Sequence, residues 1–232
     1  MTQNPSLKTA SITFPANGVD GMGYLAHPAD GASHPGVIVI QEFWGLDAHI
    51  RDIAERFARE GFVTLAPDLY HGETATEPDE ARKLAMNMNR EQAVKDLLGA
   101  VKRLQSMDNV APRKLGCIGF CMGGSLTLAL AAATPDIAAA APFYAGMQPG
   151  RDQIAKIEAE VFAFFGADDA GIPIEKVREF ETNLRETGRN AVVKVYDGAP
   201  HSFFNDTKPS YRPAAAHDGW ERSLDLFRRV LV

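Results

Sequence analysis

Residues 119–124 read GFCMGG. Gly119, Cys121 and Gly123 follow the pattern glycine–x–nucleophile–x–glycine, where a β-rich run gives way to a helical one. That pattern is the nucleophile elbow, usually built around serine. Its turn is tight, so the flanking positions must be small. The central side chain is lifted off the sheet onto a helix N-terminus, whose partial positive charge favours a thiolate. Two plainer readings compete. Free cysteine is ordinarily a buried structural thiol, and glycine-rich turns also cradle phosphates. The segment lacks the Lys-Ser/Thr of a phosphate loop and the spacing Gly-x-Gly-x-x-Gly. Cys117, the second cysteine, lies within the β-rich run and reads as core.

A thiol nucleophile needs a base, and the base needs a group to orient it. Of six histidines, His201 stands out, in the loop DGAPHSFFND (197–206) after the last β-rich run. A lone loop histidine is ordinarily a solvated residue. His71 also follows a strand and is a weaker candidate, and the other four have no comparable context. Asp168 and Asp169 follow the strand VFAFFGA (161–167), and spacing alone does not choose between them. The order cysteine, acid, histidine is that of α/β-hydrolases.

The elements that must position these groups are legible as alternating patterns. Residues 8–14 and 22–27 read as an antiparallel hairpin, and GVIVIQ (36–41) as a strand covered on both faces. Further strands are expected at 62–67, 114–120, 137–144, 161–167 and 191–197, and helices at 47–60, 78–88, 90–107, from Met122, 173–187 and 213–231. Strand–helix alternation over the whole length implies an α/β class with a mostly parallel sheet flanked by helices. In such sheets ligands bind beyond the carboxyl ends of the strands, where the loops 67–78 and 198–212 lie.

The 232 residues suffice for one large domain. Lys plus Arg is 24 and Asp plus Glu is 30, a net charge of −6, which argues against a nucleic-acid binder. Two cysteines cannot build a disulfide framework or a four-ligand zinc site. No signal or membrane segment is expected, and free thiols then point to the cytoplasm.

The blocks VIVIQEFWG (37–45), APDLY (66–70), GFCMGG (119–124), FGADDAGIP (165–173) and YDGAPHSFFND (196–206) make the chain similar to the dienelactone hydrolase (carboxymethylenebutenolidase) family of α/β-hydrolases over essentially its whole length. The resemblance implies a single domain over residues 1–232 without a cap, a Cys121–His201–Asp169 triad, and no metal or organic cofactor. It favours Asp169 over Asp168 as the acid. It also implies a role for Glu42: in similar enzymes this glutamate keeps the resting thiol neutral until substrate displaces it. A buried carboxylate beside a thiol opposes thiolate formation by like-charge repulsion. The oxyanion hole is expected from the backbone N–H groups of Met122, after the nucleophile, and Phe43, after the early strand. Trp44, Tyr70, Tyr144, Ser202, Phe203 and Phe204 lie near strand ends and are candidate substrate contacts, whereas Trp220, in the last helix, reads as core.

The family holds a substrate carboxylate with arginines, and the corresponding positions here read His71-Gly72 and Asn205. The expected activity is therefore hydrolysis of small lactones or esters, dienelactone-like or, alternatively, neutral substrates of a general carboxylesterase or thioesterase. The expected partner is a small-molecule substrate, with no nucleic acid and no membrane, in a monomer or weak homodimer. A non-catalytic receptor on the same scaffold has no need of an intact triad. A redox sensor would require a Cys117–Cys121 disulfide.

Overall fold

The structure is a computed structural model that describes residues 6–16 and 18–232. Two compact units divide the chain near residue 116. Both are α/β, and the described residues hold eight strands and seven helices.

The first unit opens with the hairpin strands β1 (Leu7–Ala16) and β2 (Val19–Pro28), paired antiparallel from Leu7–Pro28 to Ala16–Val19. Next come β3 (Gly36–Ile40), helix α1 (Ala48–Arg59), β4 (Val63–Asp68), and helices α2 (Pro78–Asn87) and α3 (Arg90–Gln105). β2 pairs antiparallel with β4, and β4 parallel with β3. Every residue of β3 and β4 is buried, which explains the unbroken apolar run of β3 and the mostly apolar one of β4. α1 starts where the Asp47 carboxylate accepts the Ile50 N–H at 3.0 Å, a cap worth about 1 kcal/mol. The helix buries Ile50, Ile53, Ala54, Phe57 and Ala58 along one stripe, the face that its 3.6-residue period prescribes.

The second unit contains most of β5 (Leu115–Phe120), then α4 (Met122–Ala133), β6 (Ile137–Phe143), the short α5 (Arg151–Ile154), β7 (Glu160–Gly166), α6 (Ile174–Glu186), β8 (Ala191–Tyr196) and α7 (Pro213–Leu231). Its strands lie in the order β5-β6-β7-β8, and β6–β7 and β7–β8 pair in parallel. α5 has four residues, too few for a helical period to show in sequence. The core of this unit is aromatic: Phe143 stacks on Phe164 at 4.3 Å and meets Phe120 and Phe204 at 5.1 and 5.0 Å. Trp220, expected in the core, is only half-buried at the edge of this cluster, 6.5 Å from Phe204.

Among the described residues, four non-glycine residues have positive φ: His71, Cys121, Tyr144 and Ser202. Each follows the carboxyl end of a strand (β4, β5, β6 and β8). Such conformations cost on the order of 1–3 kcal/mol each and gather at functional sites. The strain therefore sits where an α/β sheet binds its ligands.

Candidate active site

β5 delivers Cys121 directly onto the first turn of α4. Cys121 adopts φ 57° and ψ −115°, outside the regions comfortable for a residue with a β-carbon. Its N–H donates to the Phe143 carbonyl at 3.1 Å, and its own carbonyl accepts from Ser125 N–H at 3.2 Å. Two glycines make this turn possible. A β-carbon at position 119 would collide with the Gly123 carbonyl, and one at 124 with the Phe143 carbonyl. Met122 is the first residue of α4, so its N–H lies in the helix's first turn. Cys121 is partly exposed and Cys117 fully buried, and both are free thiols. Burial pushes the Cys117 thiol up to about 12, against a weaker opposing contact with Thr127. That thiol is inert at neutral pH.

The acid and the histidine come from adjacent strands. β7 and β8 are in register from Val161–Ala191 to Gly166–Tyr196. Beyond them, Ala167 N–H donates to the Tyr196 carbonyl at 2.9 Å and Asp168 N–H to the Ala199 carbonyl at 3.0 Å. A side chain on Gly166 would strike the Ala199 carbonyl, so that glycine lets the two loops close on each other. His201 Nδ1 then lies 2.6 Å from Asp169 Oδ2. The other Asp169 oxygen accepts the Gly171 N–H at 2.9 Å, an Asx turn that fixes the carboxylate. The Asp169 side chain is only 1% exposed, whereas Asp168 faces solvent. Of the two acids, the geometry pairs Asp169 with His201.

Burial alone would lower the affinity of His201 for its second proton. Hydrogen bonds to Asp169 and Cys121, and the negative charge of both partners, more than reverse this and raise it to about 10. The second unit thus joins an imidazole to a buried carboxylate, with the Tyr144 ring 5.0 Å from that of His201.

The remaining candidates fall as follows. Tyr144 and Phe203 are fully buried, with rings 5.3 Å apart, so they pack in the core and present no open surface to a substrate. Ser202, at φ 58°, is half-exposed beside His201. Asn205 is buried, and its Oδ1 accepts from the Thr207 N–H and hydroxyl at 3.0 and 2.6 Å. In the first unit, Glu42 is 1% exposed just beyond β3. Phe43 and Trp44 follow, half-buried, with rings 4.5 Å apart. The Tyr70 hydroxyl donates to the Phe43 carbonyl at 3.2 Å, and Ala75 N–H to the Trp44 carbonyl at 2.9 Å. The loop after β4 therefore braces the turn after β3, a contact that local periodicity carries no signal for. Arg212 is another residue whose use is visible only in three dimensions. Its guanidinium donates to the carbonyls of Gly198, Ser210 and Tyr211 at 3.1, 3.2 and 3.0 Å, pinning the loop that carries His201.

The family model described as "Dienelactone hydrolase family" matches residues 22–231. The chain belongs to the dienelactone hydrolase family. Among curated relatives, Protein usf of Aquifex pyrophilus is 38% identical, with 95% of this chain and 98% of that protein covered. A Synechocystis protein named "Putative carboxymethylenebutenolidase" is 36% identical over 97% of this chain and 98% of its own. Among solved structures, a Klebsiella pneumoniae protein described as a "Putative Dienelactone Hydrolase" superposes with a TM-score of 0.89 at 30% identity, covering 97% of this chain and 99% of that one. The fold is that of the dienelactone hydrolase-like α/β-hydrolases, and the protein is a hydrolase of esters or lactones. Among the described residues no helix is long and apolar enough to cross a membrane.

Proposed function

We propose that this family member cleaves small esters or lactones through a cysteinyl acyl-enzyme. Cys121 Sγ gives its proton to His201 Nε2 and attacks the acyl carbon. The carbonyl electron pair moves onto oxygen, where the amides of Met122 and Phe43 stabilise it. Collapse of this intermediate expels the alkoxide, which takes the proton from His201. Water, deprotonated by His201, then attacks the thioester, releases the acid and restores the thiol. Asp169 orients His201 and stabilises the imidazolium. The observation that carries this reading is the 2.6 Å Asp169–His201 bond, joined to a strained, partly exposed cysteine at a helix start.

The same reading gives Glu42 the role of gate, keeping the thiol neutral until substrate arrives. It is supported by the burial of the Glu42 carboxylate and by the family pattern QEFWG. Trp44, Tyr70 and Ser202 are assigned to substrate contact, and the whole of residues 1–232 to one catalytic domain acting in the cytoplasm without a metal or organic cofactor. The whole-chain superposition at a TM-score of 0.89 supports the single-domain part.

A second reading concerns the substrate's charge. The positions where the family carries carboxylate-binding arginines hold Gly72, after His71, and Asn205, whose carbonyl is already engaged. Arg212 is committed to backbone carbonyls, and Arg82 pairs with Asp79 at 2.6 Å. Burying an anionic substrate without a cationic partner is costly, so neutral esters are favoured over dienelactones. A panel of anionic dienelactones against neutral aryl and alkyl esters tests both statements. A higher kcat/KM on neutral esters is expected, a preference for dienelactones would overturn the second reading, and no turnover of either class would overturn the first.

A further inference from the structure

The first unit contains a cavity of about 260 Å³ between the loop after β4 and helices α2 and α3. Its polar lining is mostly acidic and amide, with His71 as the one side chain able to carry positive charge. Glu73 and Asp96 line it, with the side-chain amides of Asn87, Asn89 and Gln92, and neither lysine nor arginine does. Leu69, Leu84 and Met88 supply an apolar wall.

Asp96 decides what the cavity fits. It sits in the middle of α3 and is 3% exposed. Its Oδ1 accepts from Gln92 Nε2 at 2.7 Å. Among the described residues its Oδ2 is paired with His71 Nε2 at 3.4 Å, within ion-pair reach but longer than the usual hydrogen bond. A buried carboxylate is stable only when paired and hydrogen-bonded, and this one keeps one oxygen without a short donor. His71 reaches it from a backbone strained to φ 52° and is itself exposed.

We propose that this cavity binds a small protonated amine, its ammonium on Asp96 Oδ2 and a short apolar tail against Leu84 and Met88. An ammonium supplies the missing short, charge-assisted donors. The volume, at the lower edge of ligand-binding cavities, limits the tail to a few carbons. Binding there requires no turnover.

The test is calorimetric titration of the full chain at neutral pH, where an alkylamine is protonated, with n-butylammonium, n-butanol and butyrate. Butylammonium is expected to bind at least about tenfold tighter than butanol, as a charge-assisted bond implies, and butyrate not at all. Asp96→Asn retains an oxygen for Gln92 and removes the charge, so it should bring butylammonium down to the level of butanol. Equal binding of amine and alcohol, no binding of the amine, tighter binding of butyrate, or full affinity in Asp96→Asn would each overturn the proposal. Should that variant not fold, Leu84→Trp narrows the cavity from its half-exposed rim and must abolish butylammonium binding. Retained binding there also overturns it.

Discussion

Replacing Asp169 by asparagine probes the proposed triad at its best-defined bond. Both carboxylate oxygens are engaged, one by His201 Nδ1 at 2.6 Å and the other by the Gly171 N–H at 2.9 Å. Asparagine keeps its carbonyl for Gly171 and so turns its NH2 toward His201. That donor forces Nδ1 to become an acceptor and moves the ring proton to Nε2. His201 can then no longer take a proton from Cys121. A hydrogen bond to a charged group is worth roughly 1.5–3 kcal/mol, so the imidazolium should lose about one to two pH units of its elevation at about 1.4 kcal/mol per unit. In comparable triads the same exchange lowers kcat on the order of 10⁴-fold.

The sign of the linkage gives a second readout. His201 is raised above its ordinary value of 6.5 to about 10, so its stabilising contribution is complete below about pH 6.5 and lost as pH rises through about 10. Because the ring is about one-third exposed, solvent screens that contribution. In Asp169→Asn the loss should end at lower pH. The assays are an NMR titration of His201, kcat/KM on a neutral aryl ester, and melting temperature against pH, with Asp168→Asn as control. An unmoved His201 titration, a rate loss under about tenfold, or an equal loss in Asp168→Asn would refute the reasoning, since removing an oriented carboxylate must exceed those bounds.

Other expectations follow from the same geometry. Glu42→Gln should make Cys121 more readily alkylated by iodoacetamide at neutral pH, and unchanged labelling would remove its gating role. Tyr70→Phe removes the donor to the Phe43 carbonyl and should lower kcat with little change in KM if Phe43 supplies the proposed oxyanion amide, because loosening it weakens transition-state binding most. A change in KM alone would contradict that. Gly124→Ala forces a β-carbon onto the Phe143 carbonyl and should cost about 1–3 kcal/mol of stability, as overpacking does, measured by urea unfolding.

Much of this was legible in the chain because its elements carry strong periods. The all-apolar run of β3, the mostly apolar run of β4 and the stripe on α1 follow directly from their patterns. Cys121 was marked by the glycines that its backbone demands. Asp168 and Asp169 were not separable, since adjacent residues share one composition and only the Asx turn to Gly171 and the burial of Asp169 distinguish them. The Tyr70–Phe43 bond spans 27 residues and Arg212 folds back on carbonyls of its own loop, so neither leaves a local mark. Tyr144 and Phe203 read as pocket aromatics from their strand-end positions, yet both are fully buried, because the second unit packs its core up to the site.

A cysteinyl acyl-enzyme on Cys121 should be trapped, and seen by mass spectrometry, when the protein is quenched in acid during turnover of a slow aryl ester. One acyl group is expected on the peptide containing Cys121, absent together with all turnover in Cys121→Ala. Hydrolysis that persists in Cys121→Ala, or an acyl group on any other residue, would contradict it.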